Sequence, residues 1–407
     1  MSNSKAKELT LGILTSIGGF VEIGAIATAV EAGAAFRYQL LWTMALGTIC
    51  LVFLLEMSGR LAATSRHTLA DAVRERFGFN FTALPRVIEL IINLLVLGAE
   101  LGGVALAISL VTGVSIRILV LPVALVTWLV LWRGTLGIIE NVTSVLGLVT
   151  LASIVAMFRM HPAWGEVAHG FVPTLPQKDG AHYWFLAISI FGAIISPYMF
   201  YFYSSGAVED EWDESFLTVN RASSGIGMTF GATLSVALLG CAALAFAPRG
   251  ITIEKYEQIG LLLTPALGVW GLRLFAISLG VCCFGAASEV ALGSSYMVAQ
   301  TFGWNWSEDE KPLDNSRFAA VYTIFIFASA LLIAAGIDPL KLTMFTMAMT
   351  AAVLPVVVLP FMLLLNDENF VGEHRNGWIG NSVVVLTIIL ASIMAIITIP
   401  LEIMSGG

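Results

Sequence analysis

The chain alternates long apolar segments with short polar connections. Eleven of these segments have the roughly twenty residues that an α-helix needs to cross a bilayer. The predicted spans are 9–36, 39–63, 87–112, 116–133, 136–160, 183–206, 224–248, 268–301, 316–335, 339–365 and 377–403. Because most connections between them are short, residues 1–407 are predicted to form a single transmembrane domain.

The first span carries a carboxylate near its middle, in Gly18-Gly19-Phe20-Val21-Glu22-Ile23-Gly24. A charge at bilayer depth costs about 3 kcal/mol and normally faces an interior cavity. Glycines beside it weaken a continuous helix and leave backbone carbonyls free. The pattern predicts a helix that is broken at Gly24, around a solute or an ion. The alternative is an uninterrupted helix whose neutral Glu22 bonds to a neighbouring helix.

The sixth span is interrupted as well, because Pro197 lies in its middle. Proline removes a helical hydrogen bond and clashes with the preceding turn, although in some membrane helices it only produces a kink. Interrupted helices at corresponding places in two halves are typical of inverted-repeat transporters with a binding site at the midplane. The prediction is an all-α polytopic membrane protein with a five-plus-five inverted repeat, at about 9–160 and 183–365, and an eleventh helix at about 377–403.

Two further acids lie at membrane depth. Glu100 is in the middle of the third span and Glu289 is in the eighth. Both are candidates for a proton or ion pathway, and the alternative for each is a neutral, hydrogen-bonded side chain with a structural role. Glu56 precedes Arg60 by four residues, which is the spacing of a helical ion pair, so we interpret this pair as structural.

Composition and charge agree with a membrane protein and exclude other classes. Hydrophobic residues make up 58% of the chain and charged residues 12%, which a soluble domain of this size does not show. The net charge of −8 argues against nucleic acid as a partner. No nucleophile–base set, phosphate-binding loop or redox motif is present, so an enzyme is not expected. The expected partners are the lipid bilayer and a transported ion or small solute, and the oligomeric state stays open.

The distribution of lysine and arginine predicts the orientation in a plasma (inner) membrane. Most of the basic residues fall on the cytoplasmic side if the N-terminus is cytoplasmic and the C-terminus is outside. The connection between the second and third spans supplies much of this excess, through Arg60, Arg66, Arg74, Arg76 and Arg86.

Several framework motifs resemble those of the natural resistance-associated macrophage protein (NRAMP) family of divalent metal transporters, which has the LeuT-type fold. They are Ala32-Gly-Ala-Ala-Phe-Arg-Tyr-Gln-Leu-Leu-Trp42, Leu69-Ala-Asp-Ala-Val-Arg-Glu-Arg-Phe77, Gly170-Phe-Val-Pro-Thr-Leu-Pro176, Leu354-Pro-Val-Val-Val-Leu-Pro360 and Val371-Gly-Glu-His-Arg-Asn-Gly-Trp378. The resemblance covers nearly the whole chain. It implies discontinuous helices 1 and 6 and secondary transport by alternating access.

The motifs that bind metal in this family are altered here. The family's Asp-Pro-Gly-Asn is matched by Glu22-Ile23-Gly24-Ala25, and its Met-Pro-His by Ser196-Pro197-Tyr198. A second family histidine matches Tyr203, an aspartate–glutamate pair matches Leu97 and Glu100, and a glutamine of the tenth helix matches Met347. The resemblance and the residue pattern together imply a substrate site at Gly19, Glu22, Ala25, Ala193, Ser196, Tyr198 and Met347. They also imply breaks at Gly24 and Pro197, and a pathway through Glu100, Glu289 and Tyr203.

These replacements leave two hypotheses for the substrate. Glu22, Ser196 and carbonyls near Gly19 and Ala193 form an oxygen-only set, which favours hard ions such as Mg²⁺ or Mn²⁺ over Fe²⁺. Alternatively, the smaller Ala25 and the added tyrosine hydroxyls suit a small carboxylate, amide or amino acid. No resident cofactor is expected, and the coupling ion could be H⁺ or Na⁺. A channel is the other class of function, but paired broken helices favour a carrier.

Overall fold

The computed structural model describes residues 22–133, 148–176, 179–308 and 310–405. Gly19, one of the predicted site residues, lies outside these ranges, as do the first half of the first predicted span and the start of the fifth. Within the described ranges, eight helices are long and apolar enough to cross a membrane, and Ile23–Phe36 and Ile116–Trp132 are shorter apolar helices.

The described chain is almost entirely helical. Its α-helices are, in order, α1 (Ile23–Phe36), α2 (Leu41–Ser65), α3 (Leu69–Phe77), α4 (Phe79–Thr112), α5 (Ile116–Trp132), α6 (Leu151–Arg159), α7 (Trp164–Gly170), α8 (Gly180–Ile194), α9 (Pro197–Glu209), α10 (Leu217–Ala222), α11 (Met228–Ala245), α12 (Tyr256–Ile259), α13 (Thr264–Leu267), α14 (Val269–Phe302), α15 (Ser316–Ala334), α16 (Pro339–Leu364), α17 (Glu368–Val371) and α18 (Trp378–Ser405). A π-helical turn, Ser223–Gly227, joins α10 to α11.

Helix ends differ from the predicted spans where a helix continues beyond its apolar part. The third predicted span starts at 87, but α4 begins at Phe79, and the helix of the seventh span begins at Leu217 rather than at 224. Hydropathy marks the apolar stretch and not the polar turns that extend a helix out of the membrane. Both of the longest helices, α4 and α14, end where a glycine takes a left-handed conformation, at Gly113 and Gly303.

The two interrupted helices differ in where the interruption falls. In the sixth span, α8 ends at Ile194 and α9 begins at Pro197, with Ser196 extended between them, so the break lies at the predicted proline. In the first span, Glu22 has an extended backbone and α1 begins at Ile23, so Gly24 is already the second residue of a helix. Gly24, the predicted position of this break, is therefore helical, and the residues before Glu22 lie outside the described ranges. Glu22 itself occupies the non-helical position at which the helix starts.

Close helix contacts hold the broken helices in place. α1 packs along α11 and α8 packs along α16. At Gly192 in α8, an added Cβ would lie 1.9 Å from the carbonyl oxygen of Met347, so only glycine allows this approach. The exposed apolar side chains, such as Ile118 and Leu129 of α5, lie on the outside of the helix bundle, as expected of a surface that faces lipid.

Candidate substrate site

Glu22 is the centre of a buried polar cluster. Its side chain is 1% exposed, and its two carboxylate oxygens accept hydrogen bonds from different hydroxyls. The Ser196 hydroxyl donates to Oε1 at 3.2 Å, and the Tyr198 hydroxyl donates to Oε2 at 3.0 Å. Ser196 and Tyr198 are also buried. The predicted residues Glu22, Ser196 and Tyr198 therefore meet in three dimensions, although 174 positions separate Glu22 from Ser196.

The starts of two helices, α1 and α9, place these groups opposite each other. Glu22 immediately precedes α1, and Ser196 immediately precedes α9 with Pro197 as the first helical residue. Because proline has no N–H, the carbonyl of Ala193 lacks the donor that a continuous helix would supply four residues later. Ala193 is buried at the end of α8. One carboxylate, two hydroxyls and a backbone carbonyl therefore lie where α8 ends and α1 and α9 begin.

Glu100 lies at the start of α1, where its carboxylate accepts the backbone N–H of Ile23 at 3.1 Å. The side chain is fully buried in the middle of α4. An acceptor at this position satisfies one of the N–H groups that a helix start leaves free. Glu100 thus caps the start of α1 at Ile23, the residue that follows Glu22.

Met347 of α16 borders the site from a third direction. An added Cβ on Gly24 would lie 2.5 Å from its sulfur, so the thioether rests against the first turn of α1. The methionine of the family motif is replaced by Ser196 in this sequence, but the structure places another sulfur, that of Met347, beside Gly24. Ala25, the next residue of α1, is also buried. This helix start is therefore enclosed by apolar and thioether groups on the side of Gly24.

The remaining predicted pathway residues lie in different places. Glu289 of α14 is half-buried and near enough to Glu100 for their charges to interact. Tyr203 instead belongs to a separate network, where its hydroxyl donates to Asn220 at 2.9 Å. The amide of Asn220 in turn donates to the carbonyl of Glu56. The structure therefore brings Glu289 towards the central acids and does not bring Tyr203 to them.

A buried charged group on α4 was not predicted from the sequence. The guanidinium of Arg86 lies 3.3 Å from the Glu89 carboxylate and 4.3 Å from the centre of the Tyr201 ring. The Tyr201 hydroxyl also donates to Glu89 at 3.3 Å. Farther along the same face, Asn93 donates to Ser294. The signal was available, because polar residues at three- and four-residue intervals mark one face of a helix.

The described part of the chain contains no group of three or more histidine, cysteine, aspartate or glutamate side chains that could hold a metal ion. A metal at Glu22 would therefore be held by one carboxylate together with hydroxyl, carbonyl and thioether groups. Such a donor set is low in negative charge and suits an ion that keeps part of its water shell.

Comparisons with known proteins find similarity along nearly the whole chain. The family model described as natural resistance-associated macrophage protein-like matches residues 12–400. The divalent metal cation transporter MntH of Caldanaerobacter subterraneus subsp. tengcongensis is 24% identical over 369 residues, which are 88% of this chain and 84% of that protein.

Solved structures share the fold at low sequence identity. A variant of the Eremococcus coleocola manganese transporter superposes with a TM-score of 0.78 at 18% identity, covering 98% of this chain and 88% of that one. MhsT in complex with L-phenylalanine gives a TM-score of 0.64 at 14% identity, with 96% and 98% covered. These likenesses confirm the predicted LeuT-type helical fold. Together with the family model, they establish that this integral membrane protein belongs to the natural resistance-associated macrophage protein family.

Proposed function

We propose that this protein is a secondary transporter that moves a divalent cation across the membrane by alternating access around Glu22. The observation that carries the proposal is the contact between the starts of α1 and α9, where the Glu22 carboxylate meets the Ser196 and Tyr198 hydroxyls. Carboxylates inside a membrane normally mark a substrate or ion path. In transporters with inverted repeats, the site lies where discontinuous helices meet. The relatives named as a divalent metal cation transporter and a manganese transporter support a cation as the substrate.

The donors around Glu22 favour a hard ion. The two described groups that bond to this carboxylate do so through oxygen, and oxygen ligands are those that Mg²⁺ and Mn²⁺ prefer. The thioether of Met347 lies against Gly24, in the first turn of α1. We therefore propose that Mg²⁺ or Mn²⁺ is carried in preference to Fe²⁺.

Burial requires a conformational change for transport. Glu22 and Ser196 are 1% and 2% exposed, so an ion reaches this carboxylate only after a half-helix moves. The same movement would separate the hydroxyls of Ser196 and Tyr198 from the carboxylate and free its oxygens for the ion. Glu100 would keep the start of α1 intact during this change, because it accepts the Ile23 N–H.

The test is metal flux in proteoliposomes, measured with Mg²⁺, Mn²⁺, Ca²⁺ and Fe²⁺ for the native chain, Glu22→Gln and Glu31→Gln. Glu31 is the matched control because it lies on the same helix and pairs with His182 at 3.7 Å, away from the breaks. Saturable flux of Mg²⁺ or Mn²⁺ that is lost only in Glu22→Gln is expected.

The alternative substrate class would give a different result. If no metal is carried, and a small carboxylate, amide or amino acid stabilises the native chain but not Glu22→Gln, the site has exchanged a cation for an organic solute. The hydroxyls of Ser196 and Tyr198 would then serve as its polar contacts.

A further inference from the structure

A second polar cavity lies far from Glu22, where the end of α2, the turn after α10 and the start of α18 meet. Its volume is about 430 Å³. Three arginines line it, namely Arg60, Arg221 and Arg375. All three belong to the side of the membrane that is predicted to be cytoplasmic, because Arg60 lies at the cytoplasmic end of the second span and the other two follow the sixth and tenth spans. This cavity has no part in the proposed cation path.

The cavity carries excess positive charge. Glu56 is the one acid among the described residues that line it, and it pairs with Arg60 at 3.2 Å and with Arg221 at 3.7 Å. Arg375 pairs with Glu368 at 3.7 Å, but both side chains are more than half exposed, so this pair contributes little. Arg221 is 67% exposed, and its guanidinium has room for a further acceptor.

Arg60 has a different role from the two exposed arginines. Its guanidinium is nearly buried and donates to the carbonyl of His374 and the side chain of Asn376, in addition to pairing with Glu56. These bonds hold the loop before α18 against α2. The ion pair predicted between Glu56 and Arg60 is therefore present, and it forms the floor of the cavity.

The start of α18 adds donors to the same cavity. Gly377, Trp378, Ile379 and Gly380 line it, and Trp378 is the first residue of a helix that extends to Ser405. The first N–H groups of an α-helix have no partner within the helix, and the helix dipole makes this end positive. An anion in the cavity would therefore meet arginine side chains and a helix start together.

The rim of the cavity is apolar on the side that faces lipid. Val52, Phe53 and Ile379 line it, and the side chain of Trp378 is 78% exposed. Tryptophan at the end of a membrane helix is typical of the headgroup layer. The cavity therefore connects a group of arginine side chains to a lipid-facing surface. It lies at the depth of the lipid phosphate groups.

We propose that this cavity binds the phosphate group of an anionic phospholipid. The Arg221 and Arg375 guanidiniums would hold the phosphate oxygens, and the acyl chains would lie along the exposed apolar surface of α18. Arginine suits this role because its planar donors match phosphate geometry, and basic pockets between membrane helices bind such headgroups. The bound lipid would tie α18 to α2 and to the turn that follows α10.

The test is the melting temperature of the full-length protein in neutral detergent with phosphatidylglycerol, phosphatidylcholine or inorganic phosphate added separately. Phosphatidylglycerol is expected to raise it by several degrees, and phosphatidylcholine is not. The double variant Arg221→Gln/Arg375→Gln should lose this shift while it remains monodisperse. Arg76→Gln is the matched control, because Arg76 lies on the same side of the membrane, is 52% exposed like Arg375, and has one ion pair, with Asp367.

The outcomes separate the two sources of phosphate. An equal shift from phosphatidylglycerol in the double variant, or no shift in the native chain, would overturn the proposal. A shift from inorganic phosphate alone that needs both arginines would retain the phosphate site and exclude the lipid as its ligand. None of these measurements depends on metal flux, so they test the phosphate site independently of the proposed transport activity.

Discussion

At the scale of the residue, the chemistry of the central site depends on what surrounds one carboxylate. Glu22 accepts hydrogen bonds from Ser196 and Tyr198, and the neighbouring Glu100 accepts a backbone N–H. The two buried acids thus have different partners in the same cluster. Glu22 has two side-chain hydroxyls as donors, whereas Glu100 accepts the backbone N–H at the start of α1. This difference makes Glu22 the better candidate for a group that exchanges its partners for a substrate.

Replacing Ser196 by methionine should change the ion preference. The variant Ser196→Met places a soft thioether beside Glu22 and removes a hydroxyl, so it should favour Cd²⁺ and Fe²⁺ over Mg²⁺ by about tenfold, or about 1.4 kcal/mol. Competition between these ions in a proteoliposome flux assay measures the change. Ser196→Ala is the control, since it removes the hydroxyl without adding sulfur. The same preference in both variants would show that the group at this position does not select the ion.

Glu100 should affect the pH dependence of transport more than substrate binding. In Glu100→Gln, the amide oxygen can still accept the Ile23 N–H, so the start of α1 is kept while the titratable group is lost. Uptake measured over a pH series should therefore lose its pH dependence, and the binding affinity should stay the same. If the pH profile is unchanged, Glu100 takes no part in proton movement.

A second variant at this position separates the structural role from the titratable one. Glu100→Ala leaves the buried Ile23 N–H without an acceptor, which costs about 1–3 kcal/mol. Its melting temperature should therefore fall below that of Glu100→Gln.

At the scale of the element, the candidate site lies where two helices begin inside the helix bundle. Pro197 and the extended Ser196 create the break before α9, and the extended Glu22 immediately precedes α1. Neighbouring helices hold the ends through contacts that leave no space for a side chain. The approach of α8 to α16 at Gly192 is the closest of these around the site, since a Cβ there would meet a backbone oxygen.

The variant Gly192→Ala should therefore destabilise the protein. The added methyl group would lie 1.9 Å from the carbonyl oxygen of Met347, and overpacking of this kind costs about 1–3 kcal/mol. Gly285→Ala is the control, because an added Cβ meets nothing within 4 Å in the middle of α14. The melting temperature in detergent should fall for Gly192→Ala and stay the same or rise slightly for Gly285→Ala. Equal melting temperatures would mean that α8 and α16 can separate without cost.

At the scale of the whole molecule, the family model and the solved structures establish a LeuT-type membrane protein. The orientation and the division into two repeats remain predictions. The basic residues of the loop between α2 and α4 predict that this loop is cytoplasmic, with the N-terminus on the same side and the C-terminus outside.

Cysteine labelling checks this orientation directly. The four native cysteines, Cys50, Cys241, Cys282 and Cys283, are free and buried, so they give little background. Glu373→Cys should react with a membrane-impermeant maleimide only from the cytoplasmic side, because its loop follows the tenth span. Glu254→Cys lies after the seventh span and should react only from outside. The reverse pattern would invert the assigned orientation, while labelling of both sites from one side would contradict the number of spans between them.

The sequence by itself determined the membrane character, the approximate positions of the helices and the identity of the central acid. This was possible because the length of an apolar stretch and a buried charge in the middle of it are properties of the local chain. The break at Pro197 could be predicted for the same reason, since proline cannot donate a helical hydrogen bond wherever it occurs.

Only the tertiary structure decided which partners these residues have. It showed that α1 begins at Ile23 rather than after Gly24, because the acceptor for that N–H is Glu100, which is 77 positions away. It also placed the sulfur of Met347 beside Gly24, brought Tyr203 to Asn220, and placed three arginines from distant parts of the chain at one cavity. These arrangements depend on how distant helices pack, and hydrophobic periodicity does not encode which helix a given side chain will meet.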